Sequence, residues 1–62
     1  MSSRIRALGM LEVLSQAPAG LPPRELAAVL KIPQAAAERT VQGLIDGGFL
    51  FRASDGAVRL SV

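Results

Sequence analysis

Seven basic side chains, six of them arginine, carry the most distinctive chemistry of this 62-residue chain. A guanidinium group forms paired hydrogen bonds with a phosphate or with the O6 and N7 atoms of guanine. The cations outnumber the five carboxylates, so the formal net charge is +2 at pH 7. This balance favours an anionic partner.

The side chains that most often serve catalysis or metal binding are missing from the sequence. Cysteine and histidine are both absent, which excludes disulfides, thiolate nucleophiles, imidazole bases and the common transition-metal ligands. The five carboxylates are scattered singly, with no pair spaced to share acid and base duties or to hold a metal. We therefore expect no enzymatic activity, no metal site and no cofactor.

Length and hydropathy limit the organisation of the chain. At 62 residues it is near the lower limit for one unaided hydrophobic core, so residues 1–62 are expected to form a single domain. Proline, glycine or a charged residue interrupts every apolar stretch before it reaches the length of a membrane span. We expect a soluble, cytoplasmic protein with no membrane partner.

The spacing of apolar residues predicts a first helix over residues 3–16. Within it, Ile5, Leu8, Leu11 and Leu14 recur every three positions, which is a helical pattern. We expect Leu8 and Leu11 to face the core, whereas Ile5 fits either this stripe or the exposed second side of the helix.

Proline and glycine punctuate the rest of the helical region. Residues 17–20 break the first helix, and a second helix begins at about Pro23 and ends near Lys31. Pro33 or Gln34 then begins a third helix, because a proline in a helix interior would cost roughly 3 kcal/mol. At a period of 3.6 residues, the core-facing positions of this third helix are Ala37, Val41, Leu44 and Ile45.

The final segment of the chain has the pattern of a β-hairpin. Its apolar residues alternate, and Asp55-Gly56 is a strong signal for a two-residue turn. With that turn, Arg52 lies opposite Arg59, and Phe51 is expected to anchor the hairpin in the core. The face turned to the helices would then be wholly apolar, with Phe49, Phe51, Ala53, Val58, Leu60 and Val62.

These elements predict a mainly α fold with a small β-hairpin, namely a winged helix-turn-helix of three helices plus a two-stranded wing. The motifs "ELA" at residues 25–27, "LKIP" at residues 30–33 and "GFL" ahead of "DGAVRL" lie in this frame. With them, the chain resembles the N-terminal DNA-binding domain of IclR-type transcriptional regulators and, more loosely, the MarR-like winged helices. The resemblance implies that the third helix enters the major groove of double-stranded DNA and that the wing contacts the backbone.

The third helix supplies the residues that would face the bases. Arg39 matches an arginine of the family and would pair with guanine, either glutamine would pair with adenine, and the alanines would touch thymine methyl groups. An ordinary solvated helix face is the alternative for this surface. The predicted base-facing residues are Gln34, Ala35, Ala36, Arg39 and Gln42.

The remaining cations are expected to bind phosphate. Arg52 and Arg59, if opposite each other in the hairpin, would clamp one anion between them, although they would otherwise splay into water. The predicted phosphate contacts are Arg4, Arg6, Arg24, Lys31, Arg52 and Arg59.

A protein partner is the alternative to DNA. In that case Ala36, Thr40 and Gly43 would form a flat stripe for another helix. A homodimer through the first helix is also expected, because pairing two copies on a palindrome raises affinity. The apolar residues that the core stripes would leave exposed include Met10, Val13 and Val29.

Overall fold

The computed structural model describes residues 3–61, with the side chains of residues 5–61. Three helices are followed by an antiparallel hairpin, which confirms the predicted fold class. None of the helices in this described part combines the length and apolar character that a membrane crossing requires. The elements are α1 (Ser3–Ser15), α2 (Pro23–Leu30), α3 (Gln34–Asp46), β1 (Leu50–Arg52) and β2 (Val58–Leu60).

The turn between α2 and α3 is closed by backbone hydrogen bonds. The amide of Ile32 donates to the carbonyl of Ala27 at 3.1 Å, and the amide of Lys31 donates to that of Ala28 at 3.3 Å. This pair of bonds is a Schellman motif, which places Lys31 in the left-handed region with φ of 58°. Glycine is the usual residue there, so a lysine in this position is strained.

The face of α1 that meets the core differs from the predicted stripe. Met10 and Leu14 are buried, whereas Ile5 and Leu8 are 58% and 61% exposed. The apolar residues are spread around α1, so periodicity does not select one face. Packing decides instead, because α2, α3 and β2 contact α1 and bury Met10 and Leu14. Of the residues expected to be exposed, Val29 is exposed, and Val13 packs against the core.

The hairpin register is one residue away from the predicted one. Arg52 lies opposite Val58, Phe51 opposite Arg59, and Leu50 opposite Leu60. The prediction was wrong because the loop has three residues, with the Ala53 amide donating to the Ala57 carbonyl at 2.8 Å.

The conformation of the loop explains its length. Gly56 has φ of 89°, whereas Asp55 does not have the positive φ that a two-residue type I′ turn requires. The Asp55 carboxylate instead accepts a hydrogen bond from the Ala57 amide at 2.9 Å. The shift buries Leu50 and leaves Phe51 42% exposed, so Phe51 is not the core anchor. Val62, predicted for the same face, lies outside the described residues.

A backbone bridge fastens the hairpin to the segment before α2. The amides of Leu21 and Val58 each donate to the other's carbonyl, at 3.1 and 2.8 Å. Gly20, with φ of 83°, lies so close to β2 that a Cβ atom there would stand 2.6 Å from the Val58 carbonyl oxygen. The buried core beneath consists of Met10, Leu14, Leu26, Ala27, Ala37, Val41, Leu50 and Val58.

Candidate nucleic-acid interface

The outward face of α3 carries four of the five predicted base-facing residues. The exposed ones are Gln34, Ala35, Arg39 and Gln42. Ala36 is only 5% exposed, so its assignment to this face was wrong. The buried side of α3 is wider than a single stripe because α1, α2 and β1 all contact this helix. The same burial removes Ala36 from the flat stripe proposed for a protein partner.

The charged residues of α3 differ in whether they are engaged. The Glu38 carboxylate lies 3.7 Å from the guanidinium of Arg52 on β1. The Asp46 carboxylate accepts a hydrogen bond from the Gln42 side chain at 3.0 Å. Arg39 forms no hydrogen bond or ion pair with any residue in the described part of the chain. The outward face therefore presents one available cation, while its two acids are engaged within the protein.

Two of the predicted phosphate contacts are exposed on α2 and the turn that follows it. Arg24 lies in the first turn of α2, and Lys31 caps its end. Neither side chain has an ionic partner among the described residues. The side chain of Arg4 lies outside the described part of the structure, and Arg6 is partly buried on α1.

The proposed clamp of Arg52 and Arg59 is wrong in its geometry. The observed register places Arg59 opposite Phe51 and Arg52 opposite Val58, so the two arginines do not form a cross-strand pair. Arg59 donates from Nε to the carbonyl of Ala19 at 3.1 Å. Arg52 points towards α3, where it meets Glu38. Each arginine therefore has its own partner, and only Arg52 stands beside the outward face of α3.

The structure also brings together two cations that the sequence gives no reason to pair. Arg6 of α1 and Arg39 of α3 line one groove between these helices, although all of α2 separates them along the chain. No group of three or more acidic side chains suited to a metal ion occurs within the described residues.

Comparison with protein families gives one result. A model of the MarR family matches residues 3–59, which include every helix and strand except the last residue of β2. The match confirms the looser of the two resemblances and does not extend to the IclR type. Comparisons with curated proteins and with solved structures yield no significant match.

Proposed function

We propose that this chain, which belongs to the MarR family of winged-helix transcription regulators, binds double-stranded DNA. In this proposal α3 lies in the major groove. Regulation by DNA binding, and not enzymatic catalysis, is the activity of this family. The proposal for this chain is supported by the free cation and engaged acids on the outward face of α3.

That arrangement of charges suits a polyanion. Glu38 is drawn towards the wing by Arg52, and Asp46 is held by Gln42, so neither acid points at Arg39. Arg24 and Lys31 add two exposed cations on the adjacent helix and turn. In a major groove, such flanking cations neutralise phosphates, while the polar side chains of the inserted helix meet base edges.

Base contacts in this proposal come from a small set of side chains. Gln34 and Ala35 lie in the first turn of α3, which is the part of a recognition helix that reaches the bases. Gln42 lies two turns later and must leave Asp46 to bond with a base. Arg52 gives up only a weak ion pair to contact a phosphate, since exposed pairs contribute about 0–1 kcal/mol.

Binding to a random-sequence duplex should depend strongly on salt. Four neutralised phosphates, one each at Arg24, Lys31 and Arg52 and one shared by Arg6 and Arg39, give a slope of log K against log salt of roughly −3.6. Fluorescence anisotropy over a range of salt concentrations measures this slope. Affinity that does not change with salt, or no binding at low salt, would contradict the proposal.

Lys31→Gly is expected to change stability and DNA affinity in opposite directions. Glycine relieves the left-handed strain at this position, so the free energy of unfolding should rise by up to about 1 kcal/mol. The lost cation should nevertheless weaken binding and reduce the salt slope by roughly one. Lys31→Asn is a second charge-removing variant, in which asparagine tolerates this conformation without the backbone freedom of glycine. Unchanged DNA affinity in both variants would exclude Lys31 from the interface.

A second copy of the chain is the protein partner we propose. The exposed apolar residues of α1 are Ile5 and Leu8; Met10 and Val13, predicted for this side, pack in or against the core. The outward face of α3 offers few contacts, and two copies on a palindrome would bind far more tightly than one.

Sedimentation at tens of micromolar should therefore give the mass of a dimer. Leu8→Glu should give a monomer, because it places a charge in the proposed interface. Phe49→Glu is the control, since Phe49 is a comparably exposed apolar residue before β1 and should leave the dimer intact. A monomer mass for the parent chain excludes the dimer.

A further inference from the structure

A groove of about 420 Å³ lies between α1 and α3. Two of its lining side chains are cationic and none is acidic, although acids occur elsewhere on both helices. The lining residues are Arg6, Ala7, Arg39, Thr40, Gly43 and Leu44.

Arg6 has a donor in this region that the protein does not satisfy. Its Nε atom is shielded from solvent and has no hydrogen-bond partner among the described residues. A buried donor without an acceptor is unfavourable, and more so when it carries charge. We therefore expect a bound ligand to supply a hydrogen-bond acceptor for Arg6 Nε.

The neighbouring side chains do not provide that acceptor. The Thr40 hydroxyl donates to the carbonyl of Ala36 at 3.0 Å and does not accept from Arg6 Nε, and the acids of α3 are engaged elsewhere. Because Nε is shielded from solvent, an acceptor reaches it only if the Arg6 side chain turns into the groove. A water molecule there would leave two like charges facing one groove, whereas a bound oxyanion would satisfy the donor and neutralise both guanidinium groups.

Gly43 keeps the groove open. Glycine in a helix interior is unfavourable relative to alanine, yet Gly43 lies within α3. A Cβ atom at Gly43 would meet no atom within 4 Å beyond its chain neighbours and the nearby backbone of its own helix, so close packing does not require glycine there. The space that its missing side chain leaves is part of the groove lining.

We propose that this groove is a phosphate-binding site in which the guanidinium groups of Arg6 and Arg39 hold one phosphoryl group. The proposal rests on the proposed DNA binding, where the group is a backbone phosphodiester at the edge of the major groove. Arg39 lies on the α1 side of the outward face of α3, whereas Glu38 lies on the wing side. Arg39 thus fixes the position of α3 on the backbone and does not read guanine.

Nitrogen-15 labelling of the whole chain allows a direct test through the Nε–H signals of the arginines. One titration uses a short random-sequence duplex, a second uses inorganic phosphate, and a third uses chloride at the same ionic strength. The signals of Arg6 and Arg39 should shift together along one saturable curve with the duplex or with phosphate, and not with chloride.

Two charge-matched variants show whether the response belongs to the groove. Arg6→Gln should abolish the saturable shift of the Arg39 signal. Arg24→Gln removes the same charge outside the groove, so it should weaken duplex binding but leave the size of the Arg39 shift at saturation unchanged. Backbone amide spectra show whether each variant is folded. If a variant does not fold, the titrations of the parent chain still test the proposed site.

The outcomes distinguish this site from the proposed function. A shift with the duplex alone identifies backbone phosphate as the ligand, and a shift with phosphate alone identifies a free phosphate. If the duplex binds and neither arginine signal moves, the site is overturned and DNA binding stands. If phosphate shifts both signals and no duplex binds, DNA binding is overturned and the site stands.

Discussion

Leu50→Ala is expected to lower the free energy of unfolding by about 2–5 kcal/mol, the usual cost of truncating a buried leucine. Leu50 is 2% exposed and belongs to the core cluster with Val58. A chain of 62 residues has a total stability of roughly 3–9 kcal/mol at typical values per residue. Urea denaturation followed by circular dichroism should therefore show a large loss or an unfolded variant.

Phe51→Ala is the matched control on the next residue of the same strand. Phe51 is 42% exposed, so its truncation should cost about 1 kcal/mol, near the average for point substitutions. The register with a two-residue loop would instead bury Phe51 and expose Leu50. If Phe51→Ala lowers the free energy of unfolding more than Leu50→Ala does, the register with the two-residue loop is the correct one.

Gly20→Ala is expected to destabilise the fold by about 2–5 kcal/mol. The added Cβ would stand 2.6 Å from the Val58 carbonyl oxygen and 2.6 Å from Cγ of Arg59. Backbone strain at φ of 83° contributes about 1–2 kcal/mol of this loss, and overpacking contributes about 1–3 kcal/mol. Thermal unfolding should show a lower midpoint, because the bridge between Leu21 and Val58 must open to make room.

Gly56→Ala isolates the backbone strain from the clash. Gly56 has φ of 89°, close to that of Gly20, but a Cβ there would meet nothing within 4 Å. Its substitution should cost only the conformational part, about 1–2 kcal/mol. If Gly20→Ala and Gly56→Ala lower the stability equally, an added Cβ at Gly20 does not clash with Val58.

The order and type of the elements were predictable from local signals. Pro23 begins α2, Pro33 precedes α3, and the glycines after Asp46 end that helix. The core face of α3 also followed from spacing, since Ala37 and Val41 are fully buried. These features depend on backbone constraints and on one clear apolar stripe, which a sequence displays directly.

Other features depended on which surfaces meet in the folded chain. Spacing fits α1 equally well with Leu8 or Met10 inside, and the packing of α1 against α2, α3 and β2 selects Met10. The hairpin register required the loop conformation, because Asp55-Gly56 is compatible with both a two-residue and a three-residue loop. In the longer loop, the Asp55 carboxylate accepts a hydrogen bond from the Ala57 amide.

The sequence by itself determined that this protein is a basic winged helix-turn-helix with no catalytic cysteine or histidine. The tertiary structure alone decided which cations are available and which stand together. Arg59 is turned to the Ala19 carbonyl and Arg52 to Glu38, while Arg6 and Arg39 share a groove. The physical reason is that composition and period give the number and spacing of charges along the chain, whereas their partners depend on helix packing and strand register.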